Sequence, residues 1–138
     1  MRVLVDTNIW IDHFNCTDDK LVALLKERKV VAHPLVRGEL GCGNLARRDL
    51  ILEFLAEMPQ ADEVTIEEML HMVGERKLFG KGMGLMDCLL LGSALVGTRT
   101  YLWTRDKRLA RAAEEAGVGF EGGIGGSGHL GRPFRAGN

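Results

Sequence analysis

Short runs of β-branched and aromatic residues alternate along the chain with longer stretches whose apolar positions recur every three or four residues. The runs RVLV (2–5), VVA (30–32) and TYLW (100–103) predict strands. Helical spacing covers about 7–14, 18–28, 34–43, 46–57, 65–77, 84–96 and 106–116. A last short strand is predicted at VGF, 118–120, after Gly117. Strands separated by helices are joined by crossovers, which make the pairing parallel and place helices on both faces of the sheet. The pattern therefore predicts an α/β fold with a central parallel sheet flanked by helices.

Four acids interrupt this pattern. In VLVDTNIW, Asp6 ends the first apolar run, and in TYLWTRDKRL, Asp106 follows a later one. Open α/β sheets collect ligands outside the carboxyl ends of their strands, which is where both acids fall. A helix cap or turn accounts for Asp106 equally simply. It accounts less well for Asp6, because Thr7 or Asn8 could cap the first helix instead. Asp87, in GMGLMDCLLLGSAL, shares a helical stripe with Leu90, Leu91 and Ala94. A carboxylate on an apolar face is costly unless it is paired or coordinates a cation. Its alternatives are an ion pair with an arginine such as Arg105, or a metal. Glu39, in HPLVRGELGCG, shares its stripe with Leu35, Val36 and Leu40. It is either a second such acid or a solvated charge on a helix phased one residue differently.

Several carboxylates in one place repel each other, and some must take up protons unless cations neutralise them. An all-oxygen set suits Mg²⁺ or Mn²⁺. His13, His33, His71 and His129 are scattered with no HxxxH spacing, which argues against zinc. With 138 residues the chain is the size of one domain. A net charge of -1 gives no global attraction to polyanions, so a nucleic-acid partner would need local basic patches or bound cations. Cys16, Cys42 and Cys88 are odd in number and form no CxxC, so they are expected to be small core residues in a reducing compartment. MRVLVD breaks its apolar run too early for a signal peptide or a membrane span, and a cytoplasmic protein is expected. Half of the 18 glycines lie at 117 or later, which divides a domain at 1–121 from a Gly-rich tail at 122–138. No strand and helix flank the tail's glycines in the order that a phosphate-cradling loop requires. Trp10 and Trp103 are expected in the core, and Met69, Met72, Met83 and Met86 in packing or on a partner-helix surface.

The segments VDTN (5–8), HPLVRGELGCGNL (33–45), GLMD (84–87) and TRD (104–106), in this order, resemble those of the PIN-domain ribonucleases. In particular they resemble the toxin of VapBC toxin–antitoxin systems, and the resemblance runs from Met1 to about residue 120. It implies a PIN-like three-layer fold in which Asp6, Glu39, Asp87 and Asp106 gather in one groove as metal ligands. Thr104 then matches the hydroxyl before the last acid, and Thr7 and Asn8 orient the metal or its water. The implied activity is that of a type II toxin: Mg²⁺-dependent (or Mn²⁺-dependent) endonucleolytic hydrolysis of RNA, leaving a 5′-phosphate and a 3′-hydroxyl. The implied partners are an RNA substrate and a cognate VapB-type antitoxin, whose C-terminal segment wraps the toxin and blocks its groove. A homodimer or a toxin–antitoxin hetero-oligomer is expected, and no membrane. Arg37, Lys81, Arg105, Lys107 and Arg108 lie near the motifs and are candidates to guide RNA. They are equally explained as solvated surface charges. An apolar groove beside helices 7–14 and 46–57 is the expected antitoxin contact.

Rival readings remain. A non-catalytic PIN-like module would bind antitoxin or RNA without cutting, although all four acids are present. A haloacid-dehalogenase type of phosphotransferase needs a second aspartate two residues after the first, where Asn8 stands. A receiver domain needs an acidic pair at its first strand.

Overall fold

The computed structural model describes residues 1–121; the tail read at 122–138 lies outside the described residues. β1 (Arg2–Val5) is the middle of a parallel sheet of order β2–β1–β3, between β2 (Val30–Val31) and β3 (Thr100–Trp103). Val3 stands opposite Val30 on one side and Tyr101 on the other, and Val5 stands opposite Trp103. Val3, Leu4 and Val5 are all buried. Successive strand residues face opposite sides, so burial of all three means that both faces of β1 are covered.

Each edge of the sheet carries one rudimentary further strand. Leu102 N–H donates to Val118 O at 2.7 Å and Phe120 N–H to Leu102 O at 3.0 Å. The strand predicted at 118–120 is therefore a single parallel bridge centred on Gly119. At the other edge Ala32 N–H donates to Pro59 O at 2.9 Å and Ala61 N–H to Ala32 O at 2.7 Å. This second bridge was not anticipated, because Pro59-Gln60-Ala61 has no β-branched or aromatic residue to mark it.

α1 (Thr7–Asn15) and α2 (Asp19–Lys26) connect β1 to β2. α3 (Pro34–Cys42), α4 (Arg48–Glu57), α5 (Ile66–Glu75) and α6 (Leu85–Val96) connect β2 to β3, and α7 (Lys107–Glu115) follows β3. All seven predicted helices form, and local chemistry sets their ends. Asp18 caps α2, while Arg28 at φ +59° prevents it from continuing to 28. Thr65 and Glu68 form a reciprocal capping box on α5. Arg47 at φ +58° delays α4 to residue 48. α3 packs against α1 and α4, and α6 against α5, α7 and β3. Trp10 and Trp103 are both 1% exposed, as expected of core residues.

The cysteine expectation is corrected: only Cys88 is buried, whereas Cys16 and Cys42 are exposed at the ends of α1 and α3. No helix among the described residues is long and apolar enough to cross a membrane. From β1 the chain leaves toward β2, and from β3 it leaves toward the opposite edge at 118–120. The two connections diverge, so a crevice opens between the carboxyl ends of β1 and β3.

Candidate active site

Asp6 stands at that crevice. Its backbone N–H donates to Trp103 O at 2.9 Å, which fixes the end of β1 against the end of β3. The residue is itself the N-cap of α1, a role that Thr7 or Asn8 could have filled; its Oδ1 accepts the Thr7 N–H at 2.7 Å. The other oxygen, Oδ2, accepts the Thr104 hydroxyl at 2.7 Å. Both Asp6 and Thr104 are buried.

Thr104 in turn accepts the Asp106 N–H at 3.1 Å. Asn8 bridges the same two turns: its Nδ2 lies 3.4 Å from Asp6 Oδ2 and from Thr104 Oγ1, and its Oδ1 accepts the Arg105 N–H at 3.2 Å. The β1–α1 and β3–α7 turns are thus sewn together by side chains. Asp106 caps α7 through Oδ1, which accepts the Leu109 N–H at 2.9 Å. The cap reading was correct for Asp106 and does not displace the other one, since its second oxygen takes no hydrogen bond among the described residues.

Glu39 is exposed, while Val36 and Leu40 of the same helix are buried. The phasing that put Glu39 on the core face is therefore corrected by a residue. From the rim of α3 it still reaches the crevice, where the Thr7 hydroxyl donates to its Oε1 in a short hydrogen bond. Asp87 is half-buried in the first turn of α6, and Leu90, Leu91 and Ala94 below it are buried as predicted. Arg105 does not pair with it. That guanidinium binds Asp12, and Asp18 at 3.5 Å, a contact that no local pattern signals because 93 residues separate Arg105 from Asp12. Among the described residues none of the four acids is in an ion pair with a lysine, arginine or histidine.

Burial and neighbouring negative charge act together on two of the acids. Burial pushes the Asp6 carboxyl above its ordinary range, against the hydrogen bonds from Thr104 and Thr7, and the negative charges of Glu39 and Asp106 push it further. Asp87 is also raised, first by burial and then by Asp106, Asp6 and Glu39, with the Gly84 backbone opposing. Like charge therefore links Asp6 to Glu39 and Asp106, and Asp87 to Asp106, Asp6 and Glu39.

A family profile described as PIN domain matches residues 3–115, a span that contains the four acids and the sheet that positions them. The chain belongs to the PIN-domain family. It groups with the VapC-type members: it is 46% identical over 116 residues to proteins named Ribonuclease VapC32 from two strains of Mycobacterium tuberculosis, H37Rv and CDC 1551. The aligned part covers 84% of this chain and 94% of each relative.

The donors of this PIN domain suit a hard, oxygen-preferring cation. His33, the histidine closest in sequence to Glu39, is buried and engaged with Ser93 and Leu35. Among the described residues no three His, Cys, Asp or Glu groups form a ready-made metal cage. Mg²⁺ does not require one, because it keeps several waters and is commonly held by one or two carboxylates directly.

Proposed function

We propose that this PIN domain is the toxin of a type II toxin–antitoxin pair and hydrolyses RNA phosphodiester bonds with Mg²⁺, or Mn²⁺ on the same ligands. The observation that carries this reading is the convergence of Asp6, Glu39, Asp87 and Asp106 without a basic partner among the described residues. The identity to proteins named Ribonuclease VapC32 supplies the substrate class.

Asp6 and Asp87 would hold the cation directly, and Glu39 and Asp106 directly or through its waters. When bound, the cation supplies a water acidic enough to act as a nucleophile near neutral pH, and offsets charge on the phosphate oxygens. Thr104 orients Asp6 by donating to Oδ2, and Thr7 does the same for Glu39 Oε1. Asn8 keeps the turn carrying Thr104 and Asp106 in register with the turn carrying Asp6. The products would carry a 5′-phosphate and a 3′-hydroxyl.

We place these functions in residues 1–121 and in the cytoplasm, with a VapB-type antitoxin as inhibitor and a homodimer or toxin–antitoxin hetero-oligomer as the assembly. Exposed Ile11 on α1 and Leu50 and Phe54 on α4 offer apolar side chains for an antitoxin segment to cover. Mapping the 5′ ends of cellular RNA fragments after induction tests the reading, with Asp87→Asn as control. New ends are expected for the wild type and none for the variant. Asp6→Asn should lower cleavage by more than roughly 100-fold, beyond what loss of a merely supporting partner costs, and leave antitoxin binding intact. Wild-type cleavage by purified Asp6→Asn would refute the metal-ligand assignment.

A further inference from the structure

A second feature, on α7 and the loop before α6, is not used by the cleavage chemistry. A cavity of about 420 Å³ is lined by Leu78, Met83 and Ala112 and by the charged side chains of Lys81, Arg108, Arg111 and Glu115. Three cations face one acid there, and the acid is partly engaged: Arg111 Nε lies 4.0 Å from Glu115 Oε2. Lys81 and Arg108 are in no ion pair among the described residues.

The loop that forms one wall is built for this placement. Lys81 stands between Gly80 at φ +74° and Gly82 at φ +85°, a conformation that side chains other than glycine's rarely adopt. The guanidinium of Arg108 lies across Gly82 so closely that a Cβ at that position would meet its Nε and Cζ at 3.0 Å. Arg108 is exposed and lies against the loop at Gly82. It stands in the first turn of α7, two residues after Asp106, which caps that helix. The same loop runs on into Gly84, the N-cap of the helix that carries Asp87.

We propose that this cavity binds one nucleotide of single-stranded RNA beside the cleavage site: Lys81, Arg108 and Arg111 take its phosphate, and Leu78, Met83 and Ala112 receive its ribose and base. The proposal rests on the reading of the acid cluster as an RNA-cleaving centre. A volume of this size is within the range of small-ligand sites. Three cations around an apolar floor match a unit that is anionic at one end and carries the flat face of a base at the other. An acidic peptide would match the cations but would leave the floor unexplained.

The test uses the full chain and a fluorescein-labelled single-stranded oligoribonucleotide of mixed sequence. Anisotropy in EDTA, across a series of KCl concentrations, reads binding without cleavage. Lys81→Ala and Arg111→Ala should each reduce the slope of log affinity against log salt by about 0.7, the value for one phosphate contact on a single strand. Lys26→Ala, at the far end of α2, should leave the slope unchanged. Gly82→Ala retains every charge but displaces Arg108, so it should weaken binding several-fold, with thermal melting used to confirm that it folds. With Mg²⁺ present, Lys81→Ala and Arg111→Ala should raise the half-saturating RNA concentration and leave the rate at saturation alone.

A wild-type slope for the Lys81→Ala, Arg111→Ala pair overturns the proposal. So does a pair that binds RNA normally but loses affinity for poly-glutamate, which would make the cavity a peptide groove. If the wild type leaves RNA intact in Mg²⁺ while the slopes fall as stated, the cleavage reading fails and the nucleotide site stands. If the wild type does not bind RNA, both fail.

Discussion

Asp6 and His33 are both buried, and both use a side-chain atom to satisfy the N-terminus of a helix, yet burial moves their proton equilibria in opposite directions. Asp6 and Asp87 are raised, so the folded chain takes up their protons before the unfolded chain does. Their charged forms oppose folding, and that penalty is relieved as pH falls through the raised values. His33 is lowered from 6.5 by burial, with Glu63 opposing. Its Nδ1 accepts the Leu35 N–H at 3.0 Å, which requires that nitrogen to be unprotonated, and its Nε2 lies 2.9 Å from Ser93 Oγ. Here the unfolded chain binds the proton first. Stability from His33 is therefore complete above pH 6.5 and is lost as pH falls from there through the depressed folded value. Melting temperatures of wild type and His33→Asn, taken in EDTA across this window, isolate the effect, because asparagine can still cap α3 but does not titrate. The wild type should lose stability relative to the variant as the solution is acidified. Parallel pH curves would show that the imidazole cap contributes no linkage.

At the scale of elements, the turns around the crevice are held by contacts between segments distant in sequence. Arg105 joins the β3–α7 turn to Asp12 of α1 and Asp18 at the start of α2. Exposed pairs of this kind contribute only about 0.2–1 kcal/mol, so their effect is on geometry more than on stability. The α6–β3 connection is tighter. A Cβ added at Gly97 would meet Thr100 Oγ1 at 2.5 Å, Thr100 Cβ at 2.9 Å and Ser93 O at 3.2 Å. The backbone at Gly97 has an ordinary φ of -75°, so crowding alone opposes a larger residue. Gly97→Ala should destabilise by about 1–3 kcal/mol, seen as a lower urea midpoint with an unchanged slope. An unchanged midpoint would mean that β3 shifts away from α6 without penalty.

The same contrast between local and distant contacts explains what the sequence revealed. β1 and β3 were legible because burial on both faces forces an unbroken apolar run, and the helices because their apolar stripes repeat. The bridge at Gln60 was not, since a single pair of backbone hydrogen bonds places no demand on side chains. Asp6, Asp87 and Asp106 stood out as carboxylates where apolar patterns end or run on. Glu39 was singled out on a helical stripe whose face was misjudged by a residue; from the rim it reaches Thr7. The Arg105 pairs were invisible because they form only once the sheet has brought α1, α2 and the β3–α7 turn together.

For the molecule as a whole, the order β2–β1–β3, with connections diverging from β1 and β3, creates the crevice before any side chain is chosen. Filling it with four acids then places the folded state under a repulsion that the extended chain does not feel. A divalent cation that binds the folded cluster and not the unfolded chain must raise stability by mass action, by about 2.7 kcal/mol at a concentration 100 times its dissociation constant. The wild type should therefore melt at a higher temperature in Mg²⁺ than in EDTA, increasingly so as Mg²⁺ is added. Asp6→Asn and Asp87→Asn should be at least as stable as wild type in EDTA, because each removes a carboxylate that burial and its neighbours disfavour, and both should lose most of the response to Mg²⁺. Equal Mg²⁺ shifts in all three proteins would show that the ion acts elsewhere. Generic screening is a poor rival explanation: with a net charge of -1 the chain has little overall self-repulsion for an added salt to relieve. A response abolished by one oxygen-to-nitrogen exchange at Asp6 or Asp87 would have to originate at the cluster itself.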